Sequence, residues 1–133
     1  MYKPYHLIGL ELSISVLNVA LRGEPTGTCR HWRGDAVAVA KRILKAGEML
    51  DGEGGYTVYA KLIPATRSRK LGCLPIGLAD HVKLVRNVAA GDFLTDADVA
   101  LAENLQAVRV RREMEAQAQD TAEVAETAVA TTN

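Results

Sequence analysis

The sequence lacks several features that would place it in a specialised class of proteins. It has only two cysteines, Cys29 and Cys73, which lie far apart with no Cys-x-x-Cys spacing. Such a pair is typical of a reduced, cytoplasmic chain rather than of a disulfide scaffold. No apolar run approaches the roughly 18 residues that a membrane-spanning helix needs, and the N-terminal segment lacks the regions of a signal peptide. We therefore predict a cytoplasmic protein without a membrane partner.

The chain also lacks an excess of charge of either sign. Its 133 residues include 16 basic and 16 acidic side chains, so the formal net charge is +0. The part before Ala102 carries 13 basic and 10 acidic residues, a small surplus. Nucleic-acid binding depends on a dense basic face, which this distribution does not provide. We predict no nucleic-acid partner.

Motifs that carry chemistry are missing as well. The sequence has no Gly-x-Ser-x-Gly, no P-loop and no dinucleotide fingerprint, and its three histidines are isolated. The loop Gly52–Gly55 is rich in glycine, but a strand is expected after it, whereas a phosphate cradle needs a helix N-terminus there. No catalytic, metal-ligating or cofactor-binding residue is therefore predicted in this chain.

What the chain does contain is a motif that occurs twice. The segment Ala40–Asp51 reappears as Leu84–Thr95, with an apolar strand, a glycine turn, an acid and a leucine in the same order. This repeat predicts a small β domain with internal pseudo-symmetry. The matched pairs are Arg42 with Arg86, Ala46 with Ala90, Gly47 with Gly91, Glu48 with Asp92, and Leu50 with Leu94.

Arg42 and Arg86 are the candidate ligand-binding residues, because a local two-fold would place their guanidinium groups equivalently. The alternative is that each arginine pairs with a nearby acid and fixes a strand end. A second basic cluster, in the predicted polar loop 64–72, could bind an anion or simply be solvated. It contains Arg67, Arg69 and Lys70.

Hydrophobic periodicity predicts a mainly β protein with flanking helices, an α+β fold. The strands are expected at 35–44, 56–63 and 81–88, with a short edge strand or bend at 73–78. Thr95 and Asp98 have the spacing of a capping box, which predicts one helical turn, followed by a short strand at 99–101. A second helix is expected over 103–118, and the Ala/Thr/Glu/Val-rich residues 119–133 are predicted to be a disordered tail.

The first predicted helix, Leu7–Arg22, is apolar around most of its circumference. Its polar residues share one narrow strip, two stripes of leucine, isoleucine and valine flank it, and Gly23 and Pro25 end it. A helix of this kind is buried on most sides in a stable protein. A β domain of this size cannot easily cover it and fill its own core, so we expect a homo-oligomer or a larger body to cover it.

The repeat also carries a family likeness. Residues 38–101 resemble an SAF domain, the β-clip module found in type III antifreeze proteins, sialic acid synthases and flagellar P-ring assembly chaperones. The likeness lies in the two small-Gly-acid-x-Leu turns and in the segment Leu74–Leu78. The resemblance implies the β-clip fold and says little about function.

A narrower likeness spans residues 4–118, through segments such as Pro4–Glu11, Gly54–Tyr59 and Arg111–Met114. These look like the C-terminal portion of homoserine-dehydrogenase-like NAD(P)-dependent oxidoreductases of the deoxyxylulose-phosphate-reductoisomerase-like group. The resemblance implies a Rossmann-containing polypeptide as partner, with NAD(P) bound by that parent enzyme and no cofactor in this chain.

The two likenesses suggest a division of the chain and two possible functions. Residues 1–24 would be the last helix of a missing catalytic domain, 25–36 a connector, 37–101 the SAF-like domain, 102–118 a C-terminal helix and 119–133 the tail. The expected function is that of a non-catalytic C-terminal fragment that packs on or completes a catalytic body. The alternative is a stand-alone binding module for a small polar or carbohydrate-like ligand.

Overall fold

The computed structural model describes residues 4–28 and 31–130. The chain divides into two compact units, Met1–His31 and Trp32–Asn133. It is a mixed α+β protein, as the sequence predicts at the level of class, but more residues lie in helices than in strands, so it is not mainly β. In chain order the elements are α1 (Ile8–Arg22), β1 (Gly34–Ala40), β2 (Met49–Asp51), β3 (Val58–Pro64), α2 (Ala65–Leu71), β4 (Asp80–Lys83) and α3 (Gln106–Ala130).

The first unit consists of α1 and the residues beside it. The predicted helix is confirmed to within one residue, and it ends at Gly23, whose φ of 64° is in the left-handed region that glycine adopts easily. The Gly23 N–H donates to the carbonyl oxygen of Val19 at 3.1 Å. None of the residues of α1 is buried, and Leu10 and Leu21 are 69% and 79% exposed. The helix therefore presents its apolar side chains to solvent.

The second unit is built from two small antiparallel sheets. β1 pairs with β3 over its full length, with Val37 opposite Lys61 and Val39 opposite Tyr59. β2 pairs with β4, and isolated bridges such as Leu44 with Val88 link the remaining segments. The predicted strands 35–44 and 81–88 are shorter here, because the chain bends at 41–42 and at 85–86. Beyond these bends, Leu44 and Val88 are linked only by an isolated bridge.

Two clusters of buried side chains form the core of the second unit. The larger one contains five leucines, four from the repeat copies and one from Cys73–Leu78: Leu44, Leu50, Leu84, Leu94 and Leu74. The smaller one is made of Val37, Ile63 and Cys73, with Phe93 packed against it. Cys73 is a buried free thiol, and Cys29 lies outside the described residues.

Three predictions of local structure need correction. Residues 65–71, predicted as part of a polar loop, form the helix α2, because Ala65 and Ser68 are buried at the spacing of one helical turn. Cys73–Leu78, predicted as a short edge strand or a bend, makes two isolated bridges, from Cys73 to Thr95 and from Pro75 to Val37, and then a 3₁₀ turn at Ile76–Leu78. Val99 makes only an isolated bridge to Leu84 where a short strand was expected.

The C-terminal helix differs from its prediction at both ends. It begins at Gln106 and continues to Ala130, beyond the expected end at Ala118, through residues predicted to be a disordered tail. Alanine and glutamate, which are strong helix formers, are abundant there and account for the extension. Residues 131–133 of the predicted tail lie outside the described residues. Within the described ranges, no helix is both long and apolar enough to cross a bilayer.

Candidate functional site at the glycine turns

The two repeat copies meet in a hydrogen-bond pattern with local two-fold symmetry. At its centre, the Leu44 N–H donates to the Val88 carbonyl at 2.9 Å, and the Val88 N–H donates back to Leu44 at 3.0 Å. Each of these residues occupies the same position in its own copy, so the axis passes between them. The predicted pseudo-symmetry of the repeat is therefore present in the backbone.

The glycine turns occupy equivalent places on either side of this centre. The Gly47 N–H donates to the Leu84 carbonyl at 2.8 Å, and the Gly91 N–H donates to the Ala40 carbonyl at 2.9 Å. The two glycines have φ values of 86° and 85°, which are strained for other residues. Each copy thus uses its glycine turn to bind the strand of the other copy.

Arg42 lies beside the first turn and pairs with an acid of its own copy. Its guanidinium donates to the Glu48 carboxylate and, at 3.2 Å, to the Ile43 carbonyl. The same carboxylate accepts the Lys45 N–H at 3.1 Å. The hydrogen bond from Arg42, followed by that from Lys45, lowers the pKa of Glu48, and the pair raises the pKa of Arg42. Half of the Arg42 side chain remains exposed.

Arg86 does not repeat this arrangement. Its partner is Asp98, not Asp92, the counterpart of Glu48, and the bond comes from Nε. Burial by itself raises the pKa of Asp98, but hydrogen bonds from Arg86 and Thr95 together leave it lowered. Asp98 accepts the Thr95 N–H and hydroxyl, both at 2.7 Å, which confirms the predicted capping box. Arg86 therefore stabilises the 3₁₀ turn Asp96–Asp98 that follows the second copy.

In the structure, each of the two predicted site residues, Arg42 and Arg86, forms an ion pair with a neighbouring acid. This is the alternative in which each arginine fixes a strand end. Their side chains are still 50% and 60% exposed, and within the described chain the terminal nitrogens of Arg86 make no hydrogen bond. A ligand-binding role for Arg42 and Arg86 remains a prediction.

The glycine-rich loop after β2 is organised by an acid. The Asp51 carboxylate accepts the Thr57 hydroxyl and the N–H groups of Tyr56 and Thr57, the latter at 2.9 Å. These bonds, with that from the Thr57 hydroxyl the largest, lower the pKa of Asp51 to about 2. A Cβ on Gly55 would overlap the Asp51 carboxylate, so glycine is required for this approach. The loop closes on the carboxylate and runs into β3.

Sequence reasoning missed a buried polar network that attaches α3. Asp35 lies on β1, is 6% exposed, and accepts hydrogen bonds from Ser68 at 2.5 Å and from Arg111 at 2.7 Å and 3.1 Å. The Arg111 guanidinium lies 4.3 Å from the centre of the Trp32 ring and also binds Glu115. The i,i+4 spacing of Arg111 and Glu115 was the one local signal available. Their partner Asp35 is too far away in sequence to be paired by spacing.

The described residues hold no group of three His, Cys, Asp or Glu side chains that could bind a metal ion. His6 lies 3.6 Å from Glu11, closer than their spacing suggested, but both are near the surface. At the glycine turns, two partly exposed guanidiniums are held by ion pairs with neighbouring acids.

A scan of protein-family models gives no match to the chain, and a search of curated proteins gives no similar sequence.

Proposed function

We propose that the chain is a non-catalytic SAF-type β-clip module that packs through α1 on the catalytic body of an NAD(P)-dependent oxidoreductase. The single observation that carries the proposal is the exposure of α1. Its apolar side chains, on two stripes, are between 53% and 79% exposed: Ile8, Leu10, Leu12, Ile14, Val16, Leu17, Val19 and Leu21.

Leaving the apolar side chains of α1 in water is unfavourable in free energy, which supports the proposal that a partner covers them. Burying one large aliphatic side chain is worth about 1.5–3 kcal/mol, and a soluble monomer rarely exposes a large contiguous apolar patch. The polar residues Glu11, Ser15, Asn18 and Arg22 share one strip of the helix. A single flat surface could cover only one of the two apolar stripes. A groove with two walls, as in the interior of a larger domain, covers both.

The two-fold hydrogen bonding of the repeat supports the SAF part of the proposal. The resemblance lies in the glycine turns, and Gly47 and Gly91 bind the opposite copy in the same way. Braced turns of this kind suit a scaffold role, because their arginines are already committed to acids. The β-clip assignment rests on this pattern together with the sequence likeness.

The described residues contain no strand-to-helix junction of the kind that binds a dinucleotide. A dinucleotide cradle needs a glycine-rich turn between a strand and a helix. In the described residues the direct junction from strand to helix is Pro64–Ala65, between β3 and α2, and it contains no glycine. In the proposed function the cofactor belongs to the catalytic body, and this chain contributes no step of the reaction.

The test is the behaviour of the purified full chain. We expect the chain to bind a hydrophobic dye and to self-associate in sedimentation experiments, because α1 has no cover. Replacing Leu10, Leu17 and Leu21 on one stripe with glutamine should markedly weaken both effects. Replacing Ser15 and Asn18 on the polar strip with glutamine should change neither. A monodisperse, cooperatively unfolding monomer that binds no dye would contradict the docking role.

The oxidoreductase part has a separate test. Genomic DNA on the 5′ side of this coding sequence should encode a Rossmann-type polypeptide, and that polypeptide should bind the full chain but bind the leucine-to-glutamine variant only weakly. If no such stretch is present, the stand-alone module becomes the better proposal. Turnover of NADPH by this chain alone would contradict both.

A stand-alone binding module is the second candidate, favoured by the partial exposure of Arg42 and Arg86. In that case each arginine would exchange part of its acid pairing for a polar or carbohydrate-like ligand. The variants Arg42→Ala and Arg86→Ala should then keep the fold and lose binding of a probe such as glucuronate. Unfolding of both variants would identify the arginines as structural.

A further inference from the structure

Two cations of the second unit converge on one aromatic ring. Lys61 Nζ lies 5.6 Å from the centre of the Phe93 ring, and Arg67 Cζ lies 5.7 Å from it. Lys61 comes from β3 and Arg67 from α2, and both side chains are exposed, whereas Phe93 is half-buried against Val37 and Ile63. Two exposed cationic side chains thus lie beside one half-buried aromatic ring.

Among the described residues, Lys61 and Arg67 lack acidic partners such as those of Arg111 and Arg112. The Asp35 carboxylate binds Ser68 and Arg111, and Oδ2 of Asp96 binds Arg112 at 2.5 Å. In the described parts of the chain, neither Lys61 nor Arg67 forms an ion pair. Two like charges held on one ring without a counter-ion produce a local positive potential.

We propose that the Phe93 cation pair, which consists of Lys61, Arg67 and Phe93, is a binding site for a phosphate group of a small-molecule monoester. Both cations lie near the same ring centre and both side chains are exposed, so each can turn towards one phosphate bound beside the ring. Arginine offers a planar fork of N–H donors that matches two phosphate oxygens, and lysine adds a point charge. The site is independent of α1 and of the glycine-turn arginines.

The test is an NMR titration of the full chain with inorganic phosphate and with glucose 6-phosphate at ionic strength held constant with sodium chloride. The amide signals of Lys61, Arg67 and Phe93 should shift with saturation for both probes. Shifts that are linear, or that chloride reproduces, would overturn the proposal. Saturating shifts centred on Arg42 and Arg86 would also overturn it and would favour the stand-alone module.

Variants locate the site and separate it from general charge effects. Lys61→Gln and Arg67→Gln should each weaken phosphate binding about two- to fivefold, the range of one exposed charge pair. Phe93→Leu keeps both charges and an apolar side chain, and should weaken binding because the ring no longer orders the cations. Lys70→Gln removes an exposed charge from the same helix as Arg67 and should leave binding unchanged.

Two results would contradict the assignment even if the chain binds anions. One is an equal loss of affinity in the Lys70 and Arg67 variants, which would indicate a diffuse electrostatic effect. The other is tight binding of a poly-glutamate peptide with no binding of either phosphate probe, which would indicate a protein partner. Because Lys61, Arg67 and Lys70 are all exposed, their glutamine variants are expected to fold.

Discussion

At the scale of single residues, the contacts that matter most are between groups far apart in sequence. Arg111 and Asp35 are 10% and 7% exposed, and they are the most buried ion pair among the described residues. Burial lowers the pKa of Arg111, but the bonds from Asp35 and Glu115 together leave it raised, so the guanidinium stays charged. This pair fixes the start of α3 to β1.

We predict that Arg111→Met destabilises the protein by about 3 kcal/mol, because it leaves the Asp35 carboxylate buried without its cation. The measurement is urea-induced unfolding followed by circular dichroism. Arg109→Met, at an exposed position two residues away, should cost less than about 0.5 kcal/mol. Adding Asp35→Asn to Arg111→Met should recover part of the loss. Equal effects at positions 109 and 111 would show that the pair is not anchoring α3.

At the scale of elements, the glycine turns determine how the two copies meet. Each turn needs a positive φ, and neither glycine has a backbone atom of another residue near the place of its missing Cβ. Gly47 would meet only Lys83 Cε, at 3.8 Å, which is ordinary contact. The requirement for glycine is therefore one of backbone conformation, and it is the same in both copies.

We predict that Gly47→Ala and Gly91→Ala cost similar amounts, about 1–3 kcal/mol each, because each places a side chain at a strained φ. The free energies of unfolding in urea provide the measurement. Gly77→Ala is the matched control, since Gly77 has no positive φ and open space around its missing Cβ. A large difference between the two turn variants would show that the copies are not energetically equivalent.

An element could be predicted from the sequence where nearby residues determine it, and not where tertiary packing determines it. The helix α1 and the capping box at Thr95 follow from periodicity and spacing, and both are confirmed. The helix α2 was missed because its only inward residues are Ala65 and Ser68, which give no apolar signal. The acid that pairs with Arg86 could not be predicted for a different reason: tertiary packing, and not the position in the repeat, brings Asp98 to it.

At the scale of the whole molecule, the described core belongs to one unit. All of the buried hydrophobic side chains in the described residues lie between Val37 and Val108, in Trp32–Asn133. The first unit contributes none, although it carries the most apolar helix. The buried core and the helix proposed to dock thus lie in different parts of the chain.

We predict that deleting residues 1–31 leaves the free energy of unfolding within about 0.5 kcal/mol of the full chain, because none of the described residues in this segment has a buried side chain. Urea unfolding of the two proteins under the same conditions is the measurement. The shorter protein should also lose the dye binding expected of the full chain. A marked loss of stability would mean that α1 packs on the second unit in solution.

The reciprocal bonds between Leu44 and Val88 have a consequence for synthesis on the ribosome. The first copy emerges while its backbone donors and acceptors still lack the partners they have in the native state, because those partners belong to the second copy. Closing such distant contacts carries an entropic cost, which is offset only when the second copy has been synthesised and the contacts form. The nascent chain is therefore expected to stay open, and to be exposed to chaperones and proteases, until the segment ending at Thr95 has left the exit tunnel.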